Sequence, residues 1–189
     1  ELLERMIYAL PFDQYVCVSD ATKKDLLRLG VSERKMQRIY NGFNYAFWDP
    51  ANFEDEEVRQ LREKMELQGK YVYFSWGRPG PSKGFEYVLK AAPLIQKRNP
   101  EAVFLLMLGS KEKYPRKYAE LRKLAEESGQ NGSIRMIDSV PYEKLGVYVK
   151  AADCVVVPSI SEGFGYTAVE AAAMGKPVVV SNAGALPEI

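Results

Sequence analysis

The chain has 189 residues, 47% apolar and 27% charged, which suits a globular protein of one good-sized domain, or one domain and part of another. Its 26 Lys and Arg nearly cancel its 25 Asp and Glu, so no global field draws in nucleic acid or an anionic membrane. It has no His, which excludes His-ligated metal sites, Ser-His-Asp triads and His general bases.

In chain order, the opening ELLERMIYALP reads as the interior of an amphipathic helix. No signal peptide is visible, and no apolar run is long enough to cross a bilayer. A strand is expected over residues 14–19, then a helix capped by Ser19 or Asp20 that closes on Gly30. The short strand MQRIY leads into NGFNYAFWDP, whose Asn-Gly turn, aromatics and Asp-Pro stop read as a linker. An acidic helix is expected over 54–67.

A second unit then alternates strand and helix: strand 71–77, helix 85–98, strand AVFLLMLG, helix 117–128, strand SIRMID, helix 142–151 and strand DCVVVPS. A helix over 165–174, stopped by Gly175, and a strand PVVVS follow. This alternation predicts an α/β fold, a doubly wound parallel Rossmann-like sheet. The chain stops directly after a strand and starts inside a helix, so the sheet is expected to be incomplete at both ends. Cys17 and Cys154 each lie in a strand-like run and read as two buried free thiols in a reducing compartment, here taken as cytoplasmic.

Open α/β sheets bind ligands at the carboxyl ends of their strands, and two loops at that edge carry unusual chemistry. In PSISEGFGYT, Gly163 and Gly165 let backbone amides approach a ligand, and the dipole of the following helix favours an anion such as a diphosphate. Glu162 beside them would repel phosphate but suits sugar hydroxyls, because a carboxylate only accepts. Glu170, eight residues on, is offset by about 80° around the helix and can share that side as an acceptor for a ribose. The cations come from GRPGPSKG: Arg78 with a bidentate fork and Lys83 with a point charge.

Taken singly, Glu162 also reads as a loop acid or cap, Glu170 as a surface position, and Arg78 and Lys83 as ordinary loop cations. The conjunction at one sheet edge favours a site. Two nucleotide motifs nearly fit and fail. Gly77 to Gly84 has Ser-Lys-Gly where a P-loop needs Gly-Lys-Ser/Thr, and Gly163 to Ala168 matches G-x-G-x-x-A but lies too far past its strand. The cations of 111–117 read as a solvated helix face, and the scattered tyrosines form no RNA-binding arrangement.

With these residues assembled, the second unit resembles the donor-binding half of retaining glycosyltransferases of family 4, also called group 1, with the two-domain GT-B fold. The hallmark is Glu, seven residues, then Glu, written around E-G-F-G and followed by G-K-P-V. Glu162, Gly163, Phe164, Gly165, Glu170, Gly175, Lys176, Pro177 and Val178 match it. GRPGPSKGFEYVLKAAP is similar to the family's G-R…K-G segment, and RIYNGFNYAFWDP to its interdomain segment.

The resemblance implies that Arg78 and Lys83 hold the donor diphosphate and stabilise the leaving group. Glu162 would meet the donor sugar, the amides of Gly163, Phe164 and Gly165 the sugar and β-phosphate, and Glu170 the ribose. The base would lie near Val140, largely on backbone groups. It implies transfer of a sugar from a nucleoside-diphosphate sugar (UDP, GDP or ADP type) to an acceptor hydroxyl, with retention, no separate cofactor and no dedicated metal.

Residues 1–49 would be the tail of an acceptor-side domain and the linker, and 50–189 the donor domain without its final helices. The acceptor would be a sugar, lipid or glycan, with any peripheral membrane contact made through the rest of the first domain. This chain alone is expected to bind nucleotide without transferring sugar. Asp138, Trp76 and Asn44 depart from the family's usual Gly, aliphatic residue and Asp. A GT-B-like sugar-nucleotide epimerase and a non-catalytic interaction module are the rival readings.

Overall fold

The computed structural model describes residues 2–128 and 132–189; Glu1, the first residue of the expected acceptor-side tail, lies outside them. The chain opens with α1 (Leu2–Tyr8), β1 (Tyr15–Cys17), α2 (Asp20–Arg28) and β2 (Met36–Arg38). β1 and β2 pair in parallel, with Tyr15 opposite Met36. Ser19 caps α2 by accepting from the Thr22 amide at 3.0 Å, and Gly30 follows at φ 93°.

The second unit begins with α3 (Asp55–Lys64), shorter than the run of apolar and acidic residues suggests. Glu66 takes φ 48°, and the amides of Glu66 and Leu67 bond back to Glu63 and Arg62, a Schellman closure that buries Leu67. β3 (Tyr71–Gly77), α4 (Phe85–Gln96), β4 (Ala102–Leu108), α5 (Pro115–Ser128), β5 (Ile134–Asp138), α6 (Tyr142–Ala151), β6 (Cys154–Val157), α7 (Tyr166–Ala173) and β7 (Val178–Val180) complete it.

The five strands are all parallel in the order β5-β4-β3-β6-β7. The chain winds outward from β3 to β5, then crosses back to lay β6 on the other side of β3. That reversal is a topological switch point, and it places the loops leaving β3 and β6 side by side at the sheet edge where open α/β folds bind ligands. The doubly wound parallel sheet expected from the sequence is therefore present.

β4 is buried along its whole length because helices cover both faces. Its residues alternate between two cores, as a pleated strand requires. Val103, Leu105 and Met107 join Phe74, Val155, Leu145 and Ala168 on one side. Phe104, Leu106 and Leu108 join Leu89, Phe85 and Leu121 on the other.

Trp48, in the segment read as a linker, is 1% exposed and belongs to the first of these cores. Lys117, expected on a solvated face, instead reaches Glu86 of α4 at 3.2 Å, half-buried, and ties α5 to α4. Cys17 and Cys154 are buried free thiols, as expected. Among the described residues, no helix is long and apolar enough to cross a membrane.

Candidate functional site

The loops leaving β3 and β6 are locked to each other before any ligand is considered. The amide of Ile160 donates to the Ser82 carbonyl at 2.8 Å. Gly84 enters α4 at φ 64°, where an added Cβ would stand 2.1 Å from the Pro158 carbonyl oxygen. Only a glycine allows this approach, and it draws Lys83 against the β6 loop.

Lys83 Nζ meets Glu162 Oε2 at 2.7 Å, both side chains being partly shielded. Ser159, buried at the end of β6, donates to the same oxygen at 3.2 Å. The Glu162 backbone is held from behind, because its carbonyl accepts from Ala185 at 2.9 Å while Gly184, at φ 55°, leaves room for it. Glu162 is therefore a seated, charge-compensated acid, not a solvated loop residue.

Gly165 is the N-cap of α7 at φ 96°, and no side chain caps that helix. Its first amides and the positive end of its dipole lie beside Glu162 and Lys83. Gly163 has open space around it. Phe164 lies between Tyr166 and Tyr40, with ring centroids 4.8 and 6.5 Å away. Arg78, directly after β3, is exposed; its carbonyl accepts from the Gly80 amide at 2.7 Å, and its guanidinium makes no ion pair or hydrogen bond among the described residues.

Glu170 departs from the surface alternative: it is 7% exposed. Burial pushes its carboxyl up to about 7, against the pull of hydrogen bonds from Tyr142 and Trp76. The Tyr142 hydroxyl donates to Oε1 at 3.4 Å and accepts from Trp48 Nε1 at 3.0 Å. Val140, two residues before Tyr142, is partly buried against the same core.

The structure thus brings Lys83 and Glu162 into contact and sets Glu170 among Tyr142, Trp76 and Trp48. Ser159, Tyr142 and Trp48 went unassigned in the sequence. A serine in a loop, a tyrosine starting a helix and a tryptophan in a turn-rich stretch carry no spacing signal for such contacts. Asp138 pairs with Lys111 at 2.8 Å, and Asn44 accepts from the Phe47 amide at 3.1 Å. Among the described residues, no group of three or more His, Cys, Asp or Glu could hold a metal ion.

A parallel sheet with its switch point at β3 and β6, two cations on one loop and an uncapped helix with a seated acid on the other, has the form of a Rossmann-like half of a GT-B glycosyltransferase. The family model described as Glycosyl transferases group 1 matches residues 57–189, and the chain belongs to that family. It is 34% identical over 179 residues to an uncharacterized glycosyltransferase of Methanocaldococcus jannaschii, covering 93% of this chain and 44% of that protein. It is also 34% identical over 147 residues to D-inositol 3-phosphate glycosyltransferase of Corynebacterium efficiens, covering 77% and 34%.

Among solved structures, Anabaena HepE in complex with UDP-glucose superposes with a TM-score of 0.83 at 21% identity, over 99% of this chain and 50% of that one. Sucrose-phosphate synthase of Thermosynechococcus elongatus gives 0.79 at 26% identity, over 98% and 44%. The chain spans half or less of the length of each of these proteins.

Proposed function

We propose that this chain carries the donor site of a retaining glycosyltransferase and binds a nucleoside-diphosphate sugar at the sheet edge where the loops leaving β3 and β6 meet. The observation that carries the reading is the meeting of Lys83 and Glu162 at 2.7 Å beside the uncapped start of α7. One cation, one sugar-directed acceptor and a set of free amides lie within reach of a single diphosphate-sugar. The HepE complex with UDP-glucose supports a donor of the UDP type.

Roles follow from chemistry. Arg78 offers a planar fork and Lys83 a point charge to the diphosphate, with the α7 amides completing the cradle. Transfer breaks the bond between the anomeric carbon and the β-phosphate oxygen, which leaves with the electron pair. The acceptor oxygen forms the new bond, and its proton passes to the departing diphosphate. The charge that grows on the departing diphosphate is what Arg78, Lys83 and the helix dipole stabilise. Glu162 accepts from donor-sugar hydroxyls, Glu170 from the ribose, and the base lies by Val140.

These residues account for donor binding; the acceptor's contacts belong to the longer protein, so this chain alone binds nucleotide without transferring sugar. The two buried thiols support a reducing, cytoplasmic setting.

Calorimetry with UDP, GDP and ADP on this chain and on an Arg78→Ala variant tests the reading. A preference for one diphosphate is expected, with a loss of about 1.5–3 kcal/mol in the variant. Equal, unaltered binding by both proteins would remove Arg78 from the site, and no binding by either would overturn the donor reading.

A further inference from the structure

Glu170 is held by a chain of donors that begins outside the residues matched by the family model, which start at residue 57. Trp48 donates to the Tyr142 hydroxyl at 3.0 Å, and Tyr142 stands 3.4 Å from Glu170 Oε1. The direction of this chain is fixed by chemistry. An indole N–H can only donate, so the Tyr142 oxygen is its acceptor. The single phenolic proton is then free for Glu170, which only accepts once it is ionised.

The ring that carries this proton is seated from one side. Phe47 stacks on Tyr142 with centroids 4.9 Å apart and planes at 14°, and Trp48 meets it edge-on at 5.8 Å and 87°. Trp48 is locked in the core, whereas Tyr142 remains 52% exposed. The segment that joins the two sheets thus fixes a half-open tyrosine beside the buried acid. Trp76 of β3 supplies the carboxylate's other hydrogen bond.

We propose that Trp48 and Tyr142 are positioning residues for the donor nucleotide: their one-way hydrogen-bond chain holds the Glu170 carboxylate as an acceptor for ribose hydroxyls. The proposal rests on the donor-site reading above. Two neutral donors leave part of the carboxylate's acceptor capacity unspent, which is what a pair of ribose hydroxyls requires. The polar groups bearing on Glu170 are Tyr142 from α6 and Trp76 from β3, with Tyr166 of α7 beside Tyr142. No cation bears on it among the described residues. Its titration near neutrality therefore reports directly on those donors.

The test uses Tyr142→Phe, which keeps the stacked ring and removes the proton, and Trp48→Phe, which keeps an aromatic and removes the N–H. The Glu170 carboxyl is titrated by NMR in each protein, and UDP affinity is measured across pH 5.5–9. In the wild-type chain, affinity rises with pH as Glu170 ionises. In Tyr142→Phe, the Glu170 titration moves to higher pH and the affinity rise moves with it. UDP binding at pH 7 then weakens by about two- to tenfold, and the gap narrows at pH 9. Trp48→Phe shifts both curves the same way.

Variants that weaken UDP binding equally at every pH, with the Glu170 titration unmoved, would show a packing role and overturn the proposal. A shifted carboxyl titration with no UDP binding in any protein would show the hydrogen-bond chain to be formed and would overturn the donor-site reading instead.

Discussion

Lys83 and Glu162 lie 79 positions apart in sequence and meet at 2.7 Å where the loops leaving β3 and β6 abut. The pair closes the switch point with one positive and one negative charge, and a diphosphate entering there must compete with Glu162 for the lysine. Lys83→Met is expected to weaken UDP binding by about 1.5–3 kcal/mol through loss of charge-assisted bonds. Glu162→Gln releases Lys83 and removes a charge that repels phosphate, so free UDP should bind as well as to wild type or better. The two variants should therefore diverge for UDP, whereas UDP-glucose should bind less tightly to Glu162→Gln. Calorimetry with both ligands reads this, and parallel losses in UDP affinity would show that Glu162 is not a competitor.

The approach of the two loops depends on Gly84. A methyl group there would meet the Pro158 carbonyl oxygen at 2.1 Å, and backbone cannot move aside as a side-chain tip can. Gly69 has a similar φ of 69° but nothing near its virtual Cβ. Gly69→Ala should cost only the left-handed conformation, about 1–2 kcal/mol. Gly84→Ala should cost that plus the clash, and should also loosen Lys83 from Glu162. Urea melts of the two variants measure the difference, and equal midpoints would mean that the loops part without penalty.

Much of this fold was legible because its signals are local and periodic. β3 and α6 fall where the alternation and the helical spacing put them, at 71–77 and 142–151. The end of α3 was less legible, because a glutamate in the left-handed region closes it and glutamate is not the residue that usually signals such a turn. The site divides in the same way. Arg78, Lys83, Glu162 and Glu170 stand out by charge at strand ends and around glycines. The burial of Glu170 and its link to Trp48 arise from contacts across 28 and then 94 positions, and no local pattern encodes those.

Glu188 joins the two sheets' units from the far end of the chain. Its carboxylate accepts from the amides of Asp20 and Ala21 at 2.9 and 2.8 Å, sitting on the N-terminus of α2. The same stretch pins Glu162 through the Ala185 amide, so α2 and the loop after β6 share one strap. Glu188→Ala should lower stability by about 0.5–2 kcal/mol, the usual loss for an N-terminal cap. Hydrogen exchange should quicken at the first amides of α2, and unaltered protection there would show that Ser19 suffices as the cap.

Burial of Glu170 makes a specific claim about pH. Its carboxyl is raised from 4.5 to about 7 in the folded chain, so the folded state keeps this proton where the unfolded chain has lost it. Unfolding then releases a proton between about pH 4.5 and 7, and stability falls as pH rises through that window. Above about pH 7 the group is ionised in both states and adds no further slope. The full loss is on the order of 3 kcal/mol. The carboxylates of Glu33, Asp55 and Glu56 are lowered by their Lys and Arg partners, so their effect has the opposite sign and is confined to more acidic pH. Glu170→Gln keeps the shape and the acceptor oxygen but cannot ionise. Denaturant melts between pH 5 and 8 should show a falling wild-type curve and a flatter Glu170→Gln curve that crosses above it near neutrality. Parallel curves would mean that Glu170 is ionised throughout, and that the pocket of Tyr142 and Trp76 stabilises its charge far more than burial opposes it.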